Sequence, residues 1–87
     1  MKIDDSDSLL IEKLESDPYF SGDQVQVHLQ KAILQLPEKQ QEVFRLRYFN
    51  EMPYDEMSEL TGTTVGGLKS SYHHAVKKIE EYFNRLD

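Results

Sequence analysis

The chain has 87 residues with a net charge of -6 and no cysteine. That length supports one small domain with one core, and the missing thiols exclude disulfides, thiolate metal sites and a cysteine nucleophile. No apolar run approaches the roughly 20 residues needed to span a membrane, and the acidic start MKIDDSDSLL lacks the charged-then-apolar order of a signal peptide, so the expected compartment is the cytoplasm.

Residues 7–16 (DSLLIEKLES) predict a short helix with Leu9, Leu10 and Leu14 on one side. Asp17-Pro18 ends it, because proline disfavours helix at the residue before it. Ser21-Gly22-Asp23 is a second break, and Asp23 is placed to cap the next helix. Residues 24–36 predict an amphipathic helix, with Val25, Leu29, Ile33 and Leu36 at helical spacing and Ala32 beside them. Pro37 suits the first position of the helix after it, where its missing N–H costs nothing. That helix is expected over 38–49, burying Val43, Phe44, Leu46 and Phe49. Residues 50–53 form a turn, and Pro53 again suits a first helical position.

Residues 54–75, YDEMSELTGTTVGGLKSSYHHA, predict two helices around a tight turn. Met57, Ser58 and Leu60 are the expected inner face of the first. Gly62 sits where the chain must reverse, a position that favours tolerance of positive φ. Thr64 is the expected N-cap of the second helix. Val65, Leu68, Tyr72, Val76 and Ile79 then recur every three or four residues, with Phe83 closing the stripe near residue 84. This is the layout of a helix-turn-helix, whose second helix lies in the DNA major groove. The expected fold is all-α: a small helical bundle with a C-terminal helix-turn-helix and no winged element, because strand signals are absent. Residues 1–22 form an acidic linker, flexible or carrying the short helix, and residues 23–87 form the domain.

Charge is unevenly spread. Residues 1–26 hold seven carboxylates against two lysines, a net -5, whereas residues 64–87 hold four cations against three carboxylates, a net +1. The acidity lies away from the second helix of the motif. Phosphate neutralisation dominates DNA affinity, so weak autonomous binding is expected.

The candidate DNA-binding residues derive from the motif. Lys69, Ser70, His73 and His74 occupy the outer face of the second helix, where they can reach bases or phosphates; the plain alternative is a solvated polar face. Thr64, Gly66 and Gly67 lie at the helix start, where backbone N–H groups can hold a phosphate; the alternative for the glycines is tolerance near a helix end. Lys77, one turn beyond His73, is a phosphate candidate, while Lys78 reads as solvated. Adjacent His73 and His74 point about 100° apart and do not form a same-face metal pair. No metal or cofactor is expected. No nucleophile–base pair or phosphate-cradling glycine loop supports an enzyme.

LQKAILQLPEKQQEVFRLRYFNEMPYDEMSEL followed by GTTVGGLKSSYHHAVKKI resembles region 4 of a bacterial extracytoplasmic-function (ECF) sigma factor. The similarity runs over residues 27–83, through an L-P, a V-F-x-L-R and a G-x-(S/T)-x-G element in order. Gly67 stands where the family usually has threonine, and Ser58 where it usually has alanine. Ser71 and His74 stand where arginine is common, which weakens the phosphate attraction. The resemblance implies reading of the upstream (−35) promoter element by the recognition helix, docking on the β flap of RNA polymerase, and covering by an anti-sigma protein. It also implies a DNA contact for Arg47, whose alternative is an ion pair with Glu51, and for Ser71 as part of the recognition helix. Region 2 of such factors is not among these residues, which implies a piece of a longer protein or a stand-alone region 4, monomeric alone. Two other readings stay open: a sigma-like module that captures anti-sigma proteins, and an unrelated helix-turn-helix regulator such as a response-regulator output domain.

Overall fold

The computed structural model describes residues 22–86. The expected helix over 7–16 and nearly all of the acidic segment lie outside the described residues. Helix α1 spans Gly22–Leu34 and turns Val25, Leu29, Ala32 and Ile33 inward. Asp23 lies inside its first turn instead of capping it. The helix stops two residues short of the expected end. Pro37 forces the residue before it out of α geometry, and the chain closes with tight bonds from Gln35 N to Ala32 O (3.1 Å) and Leu36 N to Ile33 O (3.0 Å). Leu36 is still buried, now from the turn. The Gln41 side-chain amide donates to its carbonyl at 2.9 Å, which pins the corner.

Helix α2 spans Glu38–Phe44. Pro37 flanks it in an extended conformation, one position earlier than expected. From Arg45–Phe49 the helix widens to a π turn, marked by the i→i+5 bond from Asn50 N to Arg45 O at 3.3 Å. A π turn advances each residue through a smaller angle than an α-helix. Counted at about 100° per residue from Val43, position 49 falls roughly 240° round the helix, outside the inner arc. Phe49 is 42% exposed and Leu46 is half-buried, where both were expected in the core. Phe44 is fully buried and stacks on Tyr48 (5.2 Å between centroids) and on Tyr72 (5.5 Å). Offset aromatic stacks of this kind add to the gain from burial alone.

The turn before the next helix holds Glu51 at φ 52°, a left-handed conformation unusual for a residue with a side chain. Helix α3 spans Tyr54–Thr61, again flanked by an extended proline, Pro53. Its buried residues are Tyr54 and Met57, and Ser58 is half-buried. Leu60, expected on the inner face, is 63% exposed. At about 100° per residue the inner face runs through positions 54, 57, 58 and 61, and position 60 falls well outside that arc.

Helix α4, Val65–Asn84, is the longest element and packs against the other three helices. Leu68, Tyr72, Ala75, Val76, Ile79 and Phe83 form its buried stripe. They meet Leu29, Ile33, Val43, Phe44 and Met57 in one core. At the far end, His28 of α1 hydrogen-bonds the Tyr82 hydroxyl at 3.2 Å and lies edge-on to Phe83. The fold is all-α, with no strand among the described residues, and α3 and α4 form the helix-turn-helix.

Candidate nucleic-acid interface

The turn between α3 and α4 is built by one glycine and three threonines. Gly62 takes φ 76°, and its N–H closes α3 on Ser58 O at 2.9 Å. A residue without Cβ adopts that left-handed geometry without the steric penalty that others incur. Thr61 Oγ1 donates to the Met57 carbonyl at 2.8 Å and accepts from Thr63 N at 3.2 Å. Thr64 flanks α4 in an extended conformation, and its Oγ1 accepts from Gly67 N at 3.1 Å. This is the expected N-cap, and it satisfies one of the free N–H groups of the helix start.

The two glycines of α4 differ. A Cβ at Gly66 would meet nothing within 4 Å, so that side of the first turn is open. A Cβ at Gly67 would come within 3.1 Å of Thr63 Cγ2 and 3.2 Å of Thr64 Oγ1. Gly67 thus leaves room for the capping threonine and its neighbour, whereas the space beside Gly66 is open.

Beyond the first turn, Lys69, Ser70, His73, His74 and Lys77 are all exposed. Ser70, His73, His74 and Lys77 stand away from the buried stripe of the same helix, and Lys69 lies on its flank. Ser71 is half-buried, on the flank between the two faces. The His73 and His74 rings are 6.0 Å apart at 55°, each on its own heading. Among the described residues no group of three or more side chains is placed to hold a metal ion.

Arg47 approaches this surface from the π turn. Its Nη1 donates to the Met52 carbonyl at 3.1 Å, and its Cζ lies 4.7 Å from the centroid of the Tyr54 ring. Lys69 reaches the same ring from α4, with Nζ 5.6 Å from the centroid. Arg47 and Lys69 are 22 positions apart in the chain and are brought together by the packing of three elements. Lys39 is a further cation at the turn: its Nζ donates to Thr63 Oγ1 at 2.8 Å. Neither Lys39 nor Tyr54 was singled out by sequence reasoning. Both contacts join distant residues, so no local spacing reveals them.

A glycine-turned helix pair whose second member buries one face and presents a polar, cation-bearing face is the layout of a helix-turn-helix domain. Residues 26–79 match the model of the family described as Sigma-70, region 4. The chain belongs to that family, whose members are DNA-binding regulatory domains of transcription initiation and not enzymes. The family's partners are promoter DNA and RNA polymerase. No curated protein and no solved structure gives a significant match to this chain.

Proposed function

We propose that this chain is region 4 of an ECF-type sigma factor. In this reading α4 lies in the major groove of the −35 promoter element while another surface of the domain docks on the β flap of RNA polymerase. The observation that carries it is the two-sided character of α4: six residues of the helix are buried in the core, and Lys69, Ser70, His73, His74 and Lys77 point the other way. Lys69 and the two histidines supply base-edge or phosphate donors. Thr64 and Gly66 admit the DNA backbone to the helix start, Gly67 makes room for the cap behind them, and Arg47, Ser71 and Lys77 flank the groove. The mechanism is positioning without chemistry: the helix anchors polymerase upstream of the start site.

The test is promoter binding by single variants. Lys69→Ala and His74→Ala are each expected to weaken binding to a duplex containing the cognate −35 element several-fold, with helical circular dichroism unchanged. Wild-type affinity in both would remove the assignment of α4 as the reading helix.

A second reading is favoured by the net charge of -6 and by Ser71 and His74 standing in place of cations. Here the same fold serves as a protein-docking module that captures an anti-sigma protein. Amide NMR during titration distinguishes the two. Salt-sensitive shifts over residues 64–77 on adding DNA support promoter reading. Shifts only on adding an anti-sigma or β-flap fragment support docking.

A further inference from the structure

Thr63 stands between two elements. Its Cγ2 packs toward α4, where a Cβ on Gly67 would come within 3.1 Å of it. Its Oγ1 accepts from Lys39 Nζ at 2.8 Å. Lys39 lies in the first turn of α2, so its side chain crosses to the residue that precedes the N-cap of α4. An ammonium group carries three donors, and this contact uses one of them on a neutral oxygen. Among the described residues no carboxylate lies within ion-pair distance of Lys39, Glu38 and Glu42 of the same helix included. Lys39 is also exposed, so its charge faces solvent.

Helix geometry gives the side of α4 on which Lys39 sits. At about 100° per residue, the centre of the face made by Ser70, His73, His74 and Lys77 lies about 70° from Gly67 on one side and about 90° from Lys69 on the other. Thr63 packs on the Gly67 side, so Lys39 and Lys69 stand on opposite flanks of that face. A helix seated in the major groove has a phosphate strand along each wall. We propose that Lys39 is a DNA-backbone contact supplied by α2, positioned by Thr63, and that it meets the strand opposite the one that Lys69 meets. The inference rests on α4 being the DNA-reading helix. The hydroxyl suits this task because it restrains the lysine without neutralising it. A long side chain loses rotamer freedom when a ligand fixes it, and one already restrained loses less. A carboxylate in place of Thr63 would restrain the lysine equally but cancel its charge, in a chain whose net charge of -6 already opposes DNA.

The experiment uses the full chain and a fluorescent DNA duplex of random sequence, with affinity read by anisotropy over a range of salt. Lys39→Gln is expected to reduce the magnitude of the slope of log K against log salt by about 0.9, the value of one phosphate contact. Lys39→Arg, which keeps the charge, is expected to retain the wild-type slope. Lys69→Ala is expected to lose about 0.9 as well, and the double variant with Lys39→Gln about 1.8, because contacts on separate strands act independently. Thr63→Val keeps a methyl against Gly67 and removes the acceptor. It is expected to retain the slope but to weaken binding about two- to tenfold, because the lysine must then be ordered on binding. Should Lys39→Gln lose its helical circular dichroism, Lys39→Met, which keeps the methylene stem, takes its place with the same expected loss of slope. A folded, uncharged variant at position 39 that keeps the wild-type slope while Lys69→Ala loses its share overturns this inference alone. Wild-type affinity in Thr63→Val overturns the positioning role of Thr63. A wild-type protein that binds no duplex at low salt overturns the DNA-reading assignment and this inference with it.

Discussion

Thr64 decides how α4 begins. Its Oγ1 accepts from Gly67 N at 3.1 Å, and its extended backbone turns the chain into α4. Alanine at an N-cap leaves a helix N–H without a protein partner, a loss of about 1 kcal/mol. Thr64→Ala is therefore expected to lower the thermal midpoint by several degrees, as read by circular dichroism. An unchanged midpoint would mean that water replaces the cap without cost. Thr63 beside it acts over a longer range. Its hydroxyl accepts from Lys39 at 2.8 Å and so connects α2 to the turn. Adjacent threonines thus serve two purposes, one local to the helix and one between elements.

At the scale of elements, the glycines around α4 divide into those that the backbone requires and those that it merely admits. Gly62 sits at φ 76°, which an alanine adopts only under strain. Gly66 lies inside a helix with open space where its Cβ would be. Opposite outcomes are expected in urea unfolding. Gly62→Ala should destabilise the domain by about 1 kcal/mol. Gly66→Ala should stabilise it by up to about 1 kcal/mol, because glycine is a poor helix former. If the opening at Gly66 admits the DNA backbone, the stabilised Gly66→Ala protein should also bind DNA more weakly. Stability and affinity then move in opposite directions, which a general folding effect does not produce. The π turn belongs to this scale too. It carries Arg47, whose guanidinium carbon lies 4.7 Å from the centroid of the Tyr54 ring.

For the whole molecule, the distribution of charge matters more than its sum. Residues 1–26 carry a net -5, while residues 64–87 carry +1. In the proposed reading, a DNA phosphate approaching α4 would meet Lys69 and Lys77, with Arg47 alongside. Three such contacts contribute about -2.7 to the slope of log K against log salt, before the Lys39 contact is added. Anisotropy titrations across salt concentrations measure it. A slope near zero would mean that the cations do not reach phosphates, and would favour the docking reading. Binding strong enough to persist at high salt would also be out of keeping with so few cations on a chain of net -6. No helix among the described residues is long and apolar enough to cross a membrane.

The apolar spacing in the sequence was sufficient to find every helix of the described region and most of the core, because burial of one face imposes a 3.6-residue period on any helix. Gly62 and Thr64 were legible for the same kind of reason: turn and cap chemistry act over one to four residues. The outer face of α4 emerged as the complement of its inner one, which placed Lys69, Ser70, His73, His74 and Lys77 at the surface. Periodicity misjudged Phe49 and Leu60, and set Leu46, which packs against the core while half-buried, somewhat too deep. Position 49 lies off the arc that Val43 sets, and α3 is short enough that a single leucine off the arc looks like part of the face. The contacts of Tyr54 with Arg47 and Lys69, and of Lys39 with Thr63, exist only once α2, α3 and α4 are packed together. The sequence by itself determined the helices and the side of α4 that meets solvent, since local backbone preferences and burial specify both. Tertiary structure decided which cations share a ring and which hydroxyl anchors a lysine, since those depend on the distance between elements far apart in the chain.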